Sequence, residues 1–260
     1  MRTILQAFLE GNGFPNELVI DSHTHIGRGF DGSRHIEEAA QRALTRMDTV
    51  GIDASCVMGS QYLIEGDYRE GNNDLLWLHE HYPNRFVCFT NINPHDKQEN
   101  VLTELQRMYD AGIRGIKLIN AYQNYPSNGS VLWALYEFAA EHELIVLNHS
   151  WGSGETIDLI ASTFPDMTMI IGHHTDGADD LLRKFLNLYL CTWTFVIPHQ
   201  IEKAITRIGA DKIVFGSDAI INPFPAGLGP VVFARISDDE KRKVLGLNMA
   251  RLLSKKGYNF

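Results

Sequence analysis

Two histidines separated by one residue, His23 and His25, end an apolar run near the start of the chain. Side chains two residues apart on a β-strand point to the same side, so both imidazoles are predicted to share one face. A buried strand normally places Val, Ile or Leu at such positions. Buried imidazoles need polar or metal partners, because unpaired polar groups cost free energy to bury. The pair therefore predicts a metal site or a buried hydrogen-bonded cluster.

Two later apolar runs end in residues that could complete a metal site. His149 ends one of them and Asp218 ends another, which gives three imidazoles and one carboxylate in all. This set suits Zn²⁺, and it also suits Mn²⁺ or Fe²⁺. For His149 alone, or for His173, which ends a further apolar run, a hydrogen-bonded core histidine is at least as good an interpretation. Their shared position at the ends of runs, together with His23 and His25, favours a metal site.

A second pair with the same spacing, His79 and His81, provides a comparison within the chain. This pair ends a polar, helix-like segment, and we interpret it as a solvated helix end. Position at the end of a strand, and not the spacing alone, therefore carries the metal-site prediction.

Short apolar runs alternate with amphipathic segments, and we interpret the eight runs as strands. The predicted strands are Val19–His25, Ala54–Gly59, Phe86–Asn91, Gly112–Ile119, Leu144–His149, Met167–His173, Leu188–Phe195 and Lys212–Asp218. The clearest predicted helices between or after them are His35–Val50, Asp96–Asp110, Ser130–His142 and Asp238–Leu253. Alternation implies parallel strands, and eight similar repeats favour a TIM-type (β/α)8 barrel over an open doubly wound sheet. In such a barrel the functional residues lie at the carboxyl ends of the strands.

Length and composition fit one barrel domain. The chain has 260 residues, of which 44% are hydrophobic and 21% charged, with a formal net charge of −9. We predict one domain over residues 1–260, with residues 1–16 as an extension outside the repeat. The absence of a basic run and of a long apolar run argues against nucleic-acid and membrane partners. Cys56, Cys88 and Cys191 lie in apolar runs, so we expect buried free thiols and a cytoplasmic protein.

Several motifs, in this order along the chain, resemble those of the amidohydrolase superfamily. They are Asp21-Ser22-His23-Thr24-His25, Gly115-Ile116-Lys117-Leu118, Phe164-Pro165-Asp166 leading to Gly172-His173, Phe215-Gly216-Ser217-Asp218, and Asn248-Met249-Ala250-Arg251-Leu252. The sequence resembles in particular the amidohydrolase-related branch that includes aminocarboxymuconate-semialdehyde decarboxylase. The resemblance runs from about Val19 to Leu253, which is nearly the whole chain.

The resemblance implies a ligand set and a division of roles. One divalent metal, usually zinc, is expected to bind His23, His25, His149 and Asp218, with His173 beside the bound water or the substrate. A metal lowers the pKa of bound water to about 7. Asp218 is then expected to shuttle a proton as well, and His173 to orient the water or stabilise negative charge.

The branch leaves the reaction open. After His173 the chain reads His174-Thr175-Asp176-Gly177, where the branch usually has glycines, and its length leaves little room for the insertions that roof the decarboxylase pocket. We therefore predict a metal-dependent hydrolase of a small amide, lactone or ester. The alternatives are a non-oxidative decarboxylase of a small unsaturated or aromatic acid and, outside enzymes, a non-catalytic metal- or ligand-binding barrel. A homo-oligomer is compatible with each of these.

Three further residues are candidate substrate contacts. Lys117 could pair with a substrate carboxylate, bridge two metals as a carbamate, or pair with a neighbouring carboxylate; we predict an unmodified amine. Arg28 is a candidate anion anchor or an exposed loop arginine. Trp151 could wall the pocket or close the barrel structurally.

Residue alternation also assigns faces. His173 is predicted to face the barrel together with Ile171 and Met169, and His174 to point away into a surrounding layer. Asp21 shares the parity of the paired histidines and is predicted to support them from lower in the barrel.

Overall fold

The computed structural model describes residues 3–11, 13–29, 31–59, 67–173, 177–219 and 222–260. Within these ranges eight parallel strands form one sheet in which each strand pairs with the next along the chain. The strands are β1 Ile20–Ile26, β2 Ala54–Gly59, β3 Phe86–Asn91, β4 Gly115–Leu118, β5 Ile145–Asn148, β6 Thr168–Ile171, β7 Leu188–Cys191 and β8 Ile213–Val214. Prediction and structure agree on the bounds of β2 and β3, whereas β4 to β8 are shorter than predicted.

The sheet closes on itself between β1 and the segment that follows β8. The Ser22 amide donates to the Phe215 carbonyl at 2.8 Å, and the Asp218 amide donates to the His23 carbonyl at 2.8 Å. These bonds join the two ends of the sheet into a nearly closed barrel, and the predicted TIM-type (β/α)8 fold is confirmed.

Helices precede, connect and follow the strands. They are α1 Ile4–Leu9, α2 Ile36–Val50, α3 Tyr68–His81, α4 Gln98–Asp110, α5 Ser130–Glu141, α6 Gly154–Thr163, α7 Asp179–Lys184, α8 Gln200–Ile208, α9 Phe224–Val232, α10 Asp238–Arg242 and α11 Asn248–Ser254. The predicted helix Asp238–Leu253 is interrupted by a π-helical turn at Lys243–Leu247. A side chain at Gly246 would collide with the backbone of Leu18, so the turn accommodates a close approach to the chain before β1.

The apolar core has two layers. The inner layer fills the barrel with side chains from alternate strand positions, namely Ile20, Ala54, Cys56, Met58, Val87, Phe89, Ile145, Leu147, Ile170, Cys191 and Val214. The outer layer lies between the strands and the helices, and it contains Met169 and Ile171. The predicted inward orientation of Met169 and Ile171 is therefore wrong, because Ile170 is the inward residue of β6. Cys56, Cys88 and Cys191 are buried free thiols, as predicted.

No helix in the described ranges is long and apolar enough to cross a membrane.

Candidate active site

The first strand is irregular where it carries its two histidines. Its pairing with β2 shifts register between Asp21 and Thr24. Ile20, before the shift, belongs to the inner layer of the core, and His25, after it, pairs with an inward residue of β2. The regular alternation of inward and outward side chains is therefore interrupted within β1. The shift places His23 and His25 on the inward face, where they are 1% and 7% exposed.

Asp21 ties this irregular strand to the segment after β8. Its carboxylate accepts hydrogen bonds from the amide of His23 at 2.9 Å, from the amide of Ser217 at 3.1 Å, and from the Ser217 hydroxyl. Burial raises the pKa of Asp21 to about 7, and these hydrogen bonds oppose the increase. In this structure Asp21 thus holds the backbone that carries the histidines.

The chain after β8 brings Asp218 against the histidines. Gly216 is required at the start of this segment, because a Cβ there would collide with Cys191 Sγ and lie 2.9 Å from His23 Cβ. Asp218 itself has a φ of 57°, a left-handed conformation that L-residues rarely adopt. The hydrogen bond from the Asp218 amide to the His23 carbonyl stabilises this strained backbone conformation at the site.

Three side-chain atoms converge at the barrel mouth. Asp218 Oδ1 lies 2.9 Å from His25 Nε2 and 3.4 Å from His23 Nε2, and the two Nε2 atoms are 3.2 Å apart. Ligands that share one ion at about 2.1 Å are separated by roughly 3.0–3.4 Å in tetrahedral or octahedral geometry. The triangle therefore fits one small divalent cation, and its donors are those that zinc, manganese or iron binds.

The hydrogen-bonding capacity of the histidines supports the same conclusion. His23 Nε2 has a third close neighbour in Lys117 Nζ at 2.8 Å, although one ring nitrogen makes a single good hydrogen bond. The Nδ1 atoms of His23 and His25 are buried without a partner among the described residues. The polar contacts of both rings are thus directed to their Nε2 atoms.

Burial keeps these imidazoles in the form that binds metals. It lowers the pKa of His23 well below its ordinary value, with a further decrease from nearby Lys117. Burial likewise lowers the pKa of His25, although its hydrogen bond to Asp218 opposes the change. A neutral imidazole offers a lone pair, so both rings can coordinate a cation at neutral pH.

His149 and His173 lie together beside this triangle. Their ring centroids are 3.7 Å apart, and the His173 ring lies 6.0 Å from that of His23. Burial lowers the pKa of His149 to about 3 and that of His173 to about 4. His149 lies outside the triangle, so its role as a metal ligand stays a prediction. His173 is beside the triangle because the chain bends after β6, and not because of the alternation that we expected.

The other predicted contacts are placed differently. Arg28 donates to Asp74 at 2.8 Å and to Glu70 at 2.7 Å, so two carboxylates of α3 bind its guanidinium. Trp151 is 0% exposed and donates from its indole to the Ile170 carbonyl at 3.0 Å. These contacts show what holds the two side chains in place, and their roles as substrate contacts stay predictions. His174 lies outside the described residues.

Sequence reasoning did not select Tyr122 or Asn91. The Tyr122 ring lies 4.2 Å from that of His149 and is 67% exposed. Asn91 ends β3 on the inward face, in register with Lys117. A polar residue at the end of a predicted strand was the signal that selected the histidines, and the same signal was present for Asn91.

We predict that Lys117 is an unmodified amine. It is fully buried, its pKa is lowered to about 7 by burial, and its Nζ contacts His23. A neutral amine can donate to that ring, whereas a carbamate would add a second negative charge beside Asp218. ¹³C NMR of the metal-loaded protein in ¹³C-bicarbonate should show no carbamate carbon. A carbamate signal that disappears in Lys117→Met would overturn this prediction.

Comparison with known proteins identifies the family. No curated protein matches the sequence significantly. An uncharacterised TIM-barrel protein from Bordetella bronchiseptica aligns at 20% identity and a TM-score of 0.73, over 92% of this chain and 99% of that chain. The 2,6-dihydroxybenzoate decarboxylase from Rhizobium aligns at 16% identity and a TM-score of 0.70, over 93% and 99%.

A third solved structure is 5-carboxyvanillate decarboxylase from Novosphingobium aromaticivorans, complexed with manganese and 4-hydroxy-3-methoxy-5-nitrobenzoic acid. It aligns at 13% identity and a TM-score of 0.74, over 92% of this chain and 96% of that chain. At these identities the likeness establishes a shared fold. The sequence profile of the amidohydrolase family matches residues 20–255. Together with the barrel and the histidine–aspartate triangle at its mouth, this match shows that the chain belongs to the amidohydrolase family.

Proposed function

We propose that this protein is a metal-dependent, non-oxidative decarboxylase of a small hydroxylated aromatic acid. The observation that carries the proposal is the triangle of His23, His25 and Asp218, which has Lys117 buried beside it. Such a site combines ligands for a cation with a donor for an acid. Decarboxylases of hydroxylated benzoic acids have the same fold, and one was solved with manganese and a nitrobenzoic acid.

Hydrolysis, which we predicted first from the sequence, has less support. That prediction depended partly on a chain length too short for a decarboxylase roof. The two decarboxylases nevertheless align over 99% and 96% of their own chains, so the length argument is not supported. The other part of the argument concerned the segment His174-Thr175-Asp176-Gly177, of which residues 174–176 lie outside the described ranges.

The chain's own residues divide into a cation site and a substrate face. His23, His25 and Asp218 would hold the ion, with His149 as the proposed fourth ligand. When bound, the metal supplies a Lewis acid for the oxygen atoms of the substrate. We proposed zinc from the sequence, and manganese now ranks equally because a decarboxylase with this fold binds it. Tyr122 is exposed beside His149 and offers an aromatic face for stacking.

The reaction requires a proton at the carbon that loses carbon dioxide. The bond between the ring carbon and the carboxylate breaks, its electron pair stays on the carbon, and one proton replaces the released CO₂. Asp218 can carry this proton because its carboxylate is at the mouth and 13% exposed to solvent. Asp21 is sealed at 0% exposure and cannot take this role. His173 would orient the ring and stabilise negative charge as it develops.

Isotope labelling tests the proposal against hydrolysis. The manganese- and zinc-loaded protein would be supplied with hydroxybenzoic acids labelled with ¹³C in the carboxyl group, in D₂O. We expect ¹³CO₂ and one deuterium at the carbon that carried the carboxylate. A parallel panel of small esters, lactones and amides in H₂¹⁸O reports hydrolysis as ¹⁸O in the acid product. The stripped protein is the control for both panels, and ¹⁸O incorporation without CO₂ release would contradict the proposal.

A further inference from the structure

Asn91 at the end of β3 has an unusual environment for a polar residue. It is 0% exposed, yet neither Oδ1 nor Nδ2 of its carboxamide has a hydrogen-bond partner among the described residues. A primary amide can donate two hydrogen bonds and accept two, and native proteins rarely bury one with none of them made. Such an unsatisfied group is costly for folding, so its retention calls for a functional reason.

The backbone of Asn91, in contrast, is held by a chain of buried polar contacts. Asn72 accepts from the Asn91 amide at 2.9 Å and donates to the Asn91 carbonyl at 3.0 Å. The same Asn72 amide donates to Glu104 at 2.8 Å. Glu104 in turn accepts two bonds from Arg107, at 2.7 and 2.9 Å. This network fixes the backbone position from which the Asn91 carboxamide projects.

The direction of that projection follows from the sheet. Phe89 belongs to the inner layer of the core, and Asn91 lies two residues further along the same strand. Asn91 is also in register with Lys117 of β4, so the two side chains leave adjacent strands side by side on the inward face. Lys117 Nζ lies 2.8 Å from His23 Nε2, which places Lys117 directly beside the triangle, with Asn91 as its in-register neighbour on β3.

We propose that Asn91 is a substrate-binding residue that, together with Lys117, binds the carboxylate of the acid substrate. An amide N–H and an amine both donate to carboxylate oxygens, and a fixed pair of donors positions such a group. The inference rests on the proposed function for the identity of the acid. The unsatisfied amide and its fixed backbone are independent of that function.

Stability of the free protein provides the first test. Asn91→Leu removes a carboxamide that makes no hydrogen bond to the described residues, so the melting temperature should stay unchanged or rise by about 2–4 °C. The matched control is Asn148→Leu at the end of β5. The Asn148 amide is also buried, but it donates to Asn120 at 2.8 Å and accepts from the Ser150 amide at 3.3 Å. This control should melt several degrees lower. Asn91→Ala serves as a second variant, because the larger leucine could overpack the site.

Ligand binding provides the second test, with 2-hydroxybenzoate and the uncharged 2-hydroxybenzyl alcohol as probes for calorimetry of the manganese-loaded protein. Both Asn91 variants should bind 2-hydroxybenzoate at least 10-fold more weakly, with metal content and affinity for the alcohol unchanged. Equal affinity for 2-hydroxybenzoate in parent and variants would overturn the proposal, as would no saturable binding by the parent. A melting temperature that falls in both Asn91 variants as far as in Asn148→Leu would also overturn it. If the decarboxylation assay fails but the parent still binds 2-hydroxybenzoate at least 10-fold more tightly than the Asn91 variants, the proposed reaction is wrong and the proposed role of Asn91 stands.

Discussion

Asp218→Ala should release the metal and abolish turnover. Asp218 supplies the only carboxylate oxygen in the described triangle, and it lies within 3.4 Å of both histidine nitrogens. Loss of residues that merely support metal ligands costs about 10–100-fold in affinity, so loss of a ligand should exceed that range. Competition with a fluorescent chelator measures the affinity, and elemental analysis measures the metal content.

A surface carboxylate provides the control for this variant. Asp239 is 88% exposed and forms an ion pair with Arg242 on α10. It has no proposed role in metal binding or catalysis. Asp239→Ala should keep the metal and the activity of the parent. If Asp218→Ala keeps a full equivalent of metal with unchanged affinity, the triangle is not the metal site.

His173→Ala should keep its metal and lose most of its turnover. The His173 ring lies against His149 and 6.0 Å from His23, near the triangle but outside the set of converging ligand atoms. A group that orients the substrate or stabilises charge in the transition state typically contributes roughly 10²-fold or more. The decrease should therefore appear in kcat, while elemental analysis still finds one metal per chain.

His81→Ala is the matched control for His173→Ala. His81 ends α3, where its ring stacks on Trp77 and its Nδ1 contacts the Trp77 carbonyl at 2.8 Å. We expect parental turnover and metal content in this variant. Equal metal loss in His173→Ala and His149→Ala would make His173 a ligand, and unchanged turnover in His173→Ala would remove it from the mechanism.

Local sequence patterns were sufficient to predict the architecture and to select three side chains that the fold brings together. The alternation of apolar runs with amphipathic segments predicted eight strands, and the bounds of β2 and β3 agree with the structure. Strands that are buried on both faces are continuous apolar runs, so their ends are visible in the sequence. Polar residues at these ends, such as His23, His25 and Asp218, therefore could be identified without a structure.

Features that depend on contacts between distant residues could not be predicted in this way. At the register shift in β1, the Asp21 carboxylate accepts a hydrogen bond from the amide of Ser217, which is 196 residues away in the sequence. On β6 the inward side chain is Ile170 and not its neighbours, because pairing with the adjacent strands decides which alternate residues point inward. The carboxylates of α3 that bind Arg28 follow it in the sequence by more than 40 residues. No short window of sequence contains these pairings.

The central claim is that one divalent cation binds at the triangle of His23, His25 and Asp218. An anomalous-difference map from a crystal grown with Mn²⁺, recorded on both sides of the manganese absorption edge, tests it most directly. We predict one strong peak per chain in contact with His23 Nε2, His25 Nε2 and Asp218. Absence of a peak at this triangle, with manganese bound elsewhere on the chain or not at all, would contradict the account.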